Sequence, residues 1–183
     1  MEDTTISIIG IIIAAIIMFI VPLMLIADRA DDISQLVVQT ATSEFVNDII
    51  KSGKITNEKY EKFVSQLSSS GNTYEIDMEV KILDENTSKI VTDNNKSKIG
   101  NNTYYSIFTS QIEDIIGTSG LNTENNSDGK IILKQGDAIS VTVKNSSKTL
   151  SQSLKSFYYT PIGSDVQIIT ATASGTVAIN GAR

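Results

Sequence analysis

The sequence predicts an α+β protein: an N-terminal membrane-spanning helix, an amphipathic stalk helix, and a head with an antiparallel or mixed sheet and short helices. Three observations carry this. An uncharged apolar run fills Ile6 to Ile26. Apolar residues then recur at helical spacing as far as Gly53. Beyond that point, segments alternate apolar and polar residues with the period of two that marks a half-buried strand.

The apolar run reads ISIIGIIIAAIIMFIVPLMLI and contains no charge, its only interruptions being Ser7, Gly10 and Pro22. A hydrocarbon core about 30 Å thick needs about 20 such residues in a helix. The many Ile side chains favour insertion by several kcal/mol, at roughly 0.3–0.6 kcal/mol each near the bilayer centre. A cleaved secretory signal fits less well, because Met1-Glu2-Asp3 lacks the basic residues of a signal n-region and the run exceeds an ordinary h-region. We therefore expect a retained anchor over residues 1–27, with Ile6, Gly10, Ala14, Phe19 and Pro22 as its diagnostic positions. Pro22 removes one backbone N–H, so a kink is expected there. Gly10 and Ala14 form a small-xxx-small pair of the kind that lets a second helix approach.

Asp28, Arg29, Asp31 and Asp32 follow at the point where the anchor leaves the bilayer. Two readings stand beside each other: a solvated collar that fixes insertion depth, and charge pairing between adjacent subunits. Arg29 is the only basic residue flanking the apolar run, and taken by itself it would place the C-terminal side in the cytoplasm. The Ser/Thr/Asn-rich strands that follow look exported, and an extracytoplasmic head is expected.

Ile33, Leu36, Val37, Thr40, Ala41, Phe45, Ile49 and Ile50 recur at three- and four-residue intervals, so residues 28–55 read as the stalk. Gly53 terminates it. Residues 56–183 form the head. Thr56 is placed to cap a second helix carrying Tyr60, Phe63, Val64 and Leu67, which Gly71-Asn72 stops. From Thr73 to Leu83, Tyr74, Ile76, Met78, Val80 and Ile82 alternate with charged residues. Asp84 to Asn102 has no periodicity and reads as a loop. Tyr104 to Ile116 suits a short strand feeding a helix, with Gly117 and Gly120 closing it. Lys130–Lys134 and Ala138–Asn145 flank Gln135-Gly136-Asp137 and predict a hairpin. A helix with Leu150, Leu154 and Phe157 follows, and then a β-rich stretch from Asp165 to Asn180 in which Gly175 reads as a bulge or break.

The composition excludes whole classes of chemistry. The chain has no Cys and no His, so thiolate catalysis, disulfides and the usual general base are absent. A net charge of −6 with no basic run argues against nucleic acid as a partner. Asn122, Glu124, Asn126, Asp128 and Gly129 partly match a calcium loop, but the position that needs a bidentate Glu is Gln135, so no metal is expected. Ser151 and Lys155 share a helical face, yet nothing in the sequence supplies the desolvated Lys and oxyanion hole of a Ser/Lys dyad. Neither an enzyme nor a cofactor-binding protein is expected.

The plan of apolar helix, amphipathic stalk and β-rich head resembles type IV pilin-like proteins, particularly the TadE-like minor pilins of tight-adherence systems. Within it, ADRADDISQLVVQTATSEFVNDIIKSGKIT, YEKFVSQLSSSGNTYEIDMEVKILDEN, LKQGDAISVTVKN and LSQSLKSFYY resemble a family of uncharacterised, pilus-like membrane proteins of Gram-positive bacteria. The chain departs from the pilin pattern in two respects: it has no basic leader, and Glu2 and Asp3 precede the apolar run where pilins carry a glutamate inside it. The resemblance implies a structural or assembly subunit of a surface filament or envelope complex. Its partners would be the lipid bilayer and identical or related subunits, met through the N-terminal helix. The alternative is a monomeric anchored module that presents its sheet or the Asp84–Asn102 loop to a ligand.

Overall fold

The computed structural model describes residues 2–83, 104–117, 129–159 and 168–179. Its architecture is α+β, as the sequence predicts. A single helix, α1 (Glu2–Ser52), runs unbroken through Pro22. At about 1.5 Å per residue it is about 77 Å long. Its ending follows from Gly53, whose φ of 63° places it in the left-handed region and whose N–H returns to the carbonyl of Ile49 at 2.8 Å. A short strand β1 (Lys54–Thr56) leads into α2 (Asn57–Ser68), where the Thr56 side chain accepts from the Lys59 N–H as an N-cap.

Four strands form an antiparallel sheet in the order β3-β2-β5-β6: β2 (Tyr74–Leu83), β3 (Tyr104–Phe108), β5 (Ala138–Asn145) and β6 (Thr170–Thr176). Met78, Val80, Ile139, Val141, Val143 and Ala171 face inward, while Asp77, Glu79, Lys81, Thr142 and Lys144 face outward. The helices gather on the inner face. From Ser34 onward α1 contributes Val38, Ala41, Phe45, Val46 and Ile49 to the same core as the sheet. The segment read as a stalk therefore does not stand clear of the head. Phe45 stacks on Phe63 of α2, with ring centroids 4.4 Å apart. α3 (Thr109–Gly117) buries Ile112 and Ile116 below β2, and α4 (Leu150–Tyr159) packs against α1.

Three local expectations are corrected. Lys130–Lys134 and Ala138–Asn145 do not pair as a hairpin. Instead β4 (Lys130–Ile132) pairs with β1, and β5 lies between β2 and β6. The turn between them redirects the chain from one sheet to the other. Gly136 sits at φ 100°, and the buried Asp137 carboxylate accepts the N–H groups of Lys134 (2.7 Å) and Leu83 (2.9 Å). Gly175 is neither bulge nor break, because the β5–β6 register continues through it with Gly175 opposite Ile139. Its role is steric: a Cβ there would lie 2.3 Å from Cδ1 of Ile50. Ala171, Ala173 and Gly175 thus make the inner face of β6 flat enough for α1 to cross it. Finally, the buried stripe at the start of α1's second half is Ser34, Val38, Ala41 and Thr42, whereas Ile33, Leu36 and Thr40 are exposed. This part of the helix is apolar on two sides, so spacing alone selects neither.

The Asp84–Asn102 loop and the calcium-loop positions before Gly129 lie outside the described residues.

Candidate functional site at the end of the apolar run

No side chain from Ile6 to Ile26 is buried. Ile6 and Phe19 are 68% and 78% exposed, and nothing lies within 4 Å of a Cβ built on Gly10. Ala14 is likewise open. Among the described residues one helix is thus long and apolar enough to cross a membrane, and its apolar half takes no part in the core they form. An apolar surface of this extent is stable only when something other than water covers it.

Burial begins abruptly at Ala27, and the acidic residues beyond it divide into two kinds. Asp28 and Asp31 are bound to α4. The Lys155 ammonium lies 2.7 Å from Asp28 Oδ1, and the Ser151 hydroxyl donates to the same oxygen. These two contacts, Lys155's foremost, hold the Asp28 carboxyl below the usual carboxylate range. Thr149 donates to Asp31 Oδ2 at 2.7 Å. Arg29 and Asp32, by contrast, are exposed and form no ion pair among the described residues. The collar is therefore half latch and half free charge.

The latch is built locally. The residues Thr149-Leu-Ser-Gln152 form a capping box: the Gln152 N–H donates to Thr149 Oγ1 at 3.1 Å, and the Thr149 N–H donates to Gln152 Oε1 at 3.2 Å. This fixes where α4 starts, one turn before Lys155. Gln35 adds a second tie. Its side-chain amide accepts the Thr170 N–H at 3.1 Å and donates to the Thr170 carbonyl at 2.7 Å. Both outward main-chain groups of Thr170, at the start of β6, are satisfied in this way, and the edge is closed to further pairing at that point. The T-x-x-Q signature was present in the sequence, whereas nothing marked Gln35.

An open cavity of about 280 Å³ lies among Asp28, Asp31, Asp32, Gln35, Ser151 and Lys155. Its chemistry is that of a fastening. Ser151 and Lys155 do meet, but at a carboxylate: the ammonium is committed to Asp28 and the Ser151 proton is donated to it, an arrangement opposite to an activated Ser/Lys dyad. Among the described residues no cluster of three or more metal-ligating side chains occurs. The fold and the junction together define a protein in which a long, exposed apolar helix carries an α+β head. No protein-family model matches the chain, and neither a curated protein nor a solved structure is significantly similar to it.

Proposed function

We propose that this chain is a membrane-anchored structural or assembly subunit of a bacterial surface filament or envelope complex, pilin-like in plan, with its head extracytoplasmic and no catalytic role. The observation that supports it is the division of labour within α1. One half is exposed on every side, while the other half is part of the head's core. A helix shared in this way couples the head rigidly to whatever the exposed half packs against, as an assembly subunit requires and a tethered binding domain does not. The latch from Asp28 and Asp31 to α4 reinforces that coupling at the bilayer surface.

A monomeric binding module is the second reading. The specific feature in its favour is the outward sheet face, where Asp77, Glu79, Phe108, Ser140 and Thr142 line a shallow open depression. Electron microscopy of sheared cell surfaces, labelled with antibody against the head, separates the two. Labelled filaments or clustered complexes are expected; diffuse labelling of the membrane alone would overturn the assembly reading.

A further inference from the structure

The helix α4 is packed with its polar side inward. Ser151 and Lys155 both reach Asp28 of α1, and Ser151 and Gln152 are buried. At about 100° per residue, Leu150, Leu154 and Phe157 fall together about 140° around the helix from that packed side. Leu150 is 58% exposed. The stripe that gives α4 its apolar periodicity therefore lies on the side away from α1, where a helix serving a core would carry its polar residues. It bears no charge, because Lys155 is on the packed side and paired with Asp28.

The direction of α4 carries this stripe to the apolar run. Thr149 meets Asp31, whereas Ser151 and Lys155, further along α4, meet Asp28, which is nearer the run. The helix thus leads back along α1 toward Ile26. On that face of α1, Ala27 is buried and Met24 and Ile20 are half-buried, while the remaining residues from Ile6 to Ile26 are exposed. Asp31 lies about 8 Å beyond Ile26, the depth of a headgroup layer. Asp28 is level with the turn from Ser151 to Lys155, so the helix position of Phe157 lies about 6 Å further on, level with Met24 inside the run. Ile168, 60% exposed, adds apolar surface at the same end of the head, next to Ile169, which lines the cavity with Asp28 and Asp31.

We propose that the Leu150–Leu154–Phe157 stripe of α4 is seated in the headgroup and upper acyl layer of the bilayer that holds α1, so that the head rests on lipid instead of standing clear of it. The inference rests on the membrane-anchored reading above and names a second lipid contact for it. Lipid is the occupant because the stripe is continuous in level with the apolar run and begins where the headgroups begin. A membrane-surface helix buries its apolar face about 5–10 Å into this boundary, and the span from Asp31 to Met24 is about 10 Å. With Lys155 and Asp28 neutralising each other behind the stripe, seating it brings no lone charge of α4 into the acyl layer.

The test uses the full-length chain, which has no Cys of its own, reconstituted in phosphatidylcholine vesicles with a fluorophore on a single introduced Cys. A probe on Leu154→Cys should lose emission to lipids carrying a nitroxide at the top of the acyl chain and be spared by aqueous iodide. A probe on Thr142→Cys, on the outward sheet face, should behave in the opposite way. Leu150→Asp puts an acid at the first position of α4, where it favours the helix, and should shift the Leu154→Cys probe from lipid quenching to iodide quenching. Quenching of Leu154→Cys by iodide alone would overturn the inference. Protection from both quenchers would place a protein surface on the stripe, a second copy included, and would overturn it as well. Lipid quenching that survives Leu150→Asp would remove the stripe as its cause. A probe on Ala14→Cys reports separately: if nitroxides deep in the acyl chains leave it unquenched, the anchoring on which the inference rests has failed.

Discussion

Replacing Gly175 with Ala places a methyl group 2.3 Å from Cδ1 of Ile50, well inside van der Waals contact. Ile50 is half-buried, packed against the core at the end of α1, so its terminal methyl must swing aside and give up part of its packing. Overpacking of this kind costs about 1–3 kcal/mol. The substitution also stiffens the unfolded chain, which returns about 0.4–1 kcal/mol. A net loss of up to about 2 kcal/mol is expected. The same geometry specifies its remedy. Ile50→Val removes Cδ1, and the nearest remaining atom of residue 50, Cγ1, lies at 3.5 Å, an ordinary contact. Alone, Ile50→Val should cost about 0.5–1 kcal/mol. In the double variant the two losses should not add, the coupling being about 1–2 kcal/mol in the compensating direction. Urea denaturation of all four proteins in mild detergent, followed by tyrosine fluorescence and circular dichroism, closes the cycle. Additive losses, or a Gly175→Ala protein as stable as the parent, would refute the claim that this glycine exists to admit α1.

Other consequences concern the junction and the anchor. Thr149→Ala removes both the capping box of α4 and the bond to Asp31, and should destabilise α4 by about 1 kcal/mol, seen as faster amide exchange confined to residues 150–156. The latch should also respond to pH in one direction only. Asp28 is held below its ordinary value of 3.8, so its contribution is complete above about pH 3.8 and is lost as pH falls through the lower folded value. Amide exchange in α4 should accordingly be flat from pH 5 to 8, once corrected for intrinsic rates, and rise only in acid; a transition near neutrality would contradict the assignment. At the other extreme, burial and then the Glu113 contact raise the Tyr60 hydroxyl above its usual 10.0, so stability should fall as pH rises above about 10. In the apolar run, a Cβ built on Gly10 has nothing within 4 Å, so Gly10→Leu should leave insertion unchanged while weakening any helix contact at that face; Ile11→Leu is its control, and crosslinks from cysteines placed along Ile6 to Val21 report the difference.

The elements that were legible in the sequence are those whose signal is local. Thr56, Gly53 and Gly71 act on the chain within one turn, and the alternation from Tyr74 to Leu83 states which side of β2 is buried. The pairing of β4 with β1 joins Lys54 to Ile132, and the latch joins Asp28 to Ser151. Contacts this distant in sequence leave no periodic trace. The phase of α1 was ambiguous for a different reason: Ile33, Leu36 and Thr40 are as regularly spaced as Ser34, Val38 and Thr42, and only the sheet decides between them. Asp28, Arg29, Asp31 and Asp32 were recognisable as a group, but their division into bound and free charges depends on where α4 lies. Gly175 was read as a bulge or break, and its actual reason, a helix crossing above it, belongs to tertiary structure alone.

The central claim is that the exposed half of α1 lies in a membrane with the head outside it, and site-directed labelling in intact cells tests this most directly. Single cysteines are introduced at Thr4, at Ala14 within the apolar run, and at the exposed Ser153 of α4, and cells are treated with a membrane-impermeant maleimide before and after permeabilisation. The account predicts that Ser153→Cys is labelled in intact cells, that Thr4→Cys is labelled only after permeabilisation, and that Ala14→Cys is labelled in neither state. Labelling of Ser153→Cys only after permeabilisation would place the head in the cytoplasm, and labelling of Ala14→Cys in intact cells would remove the helix from the membrane altogether.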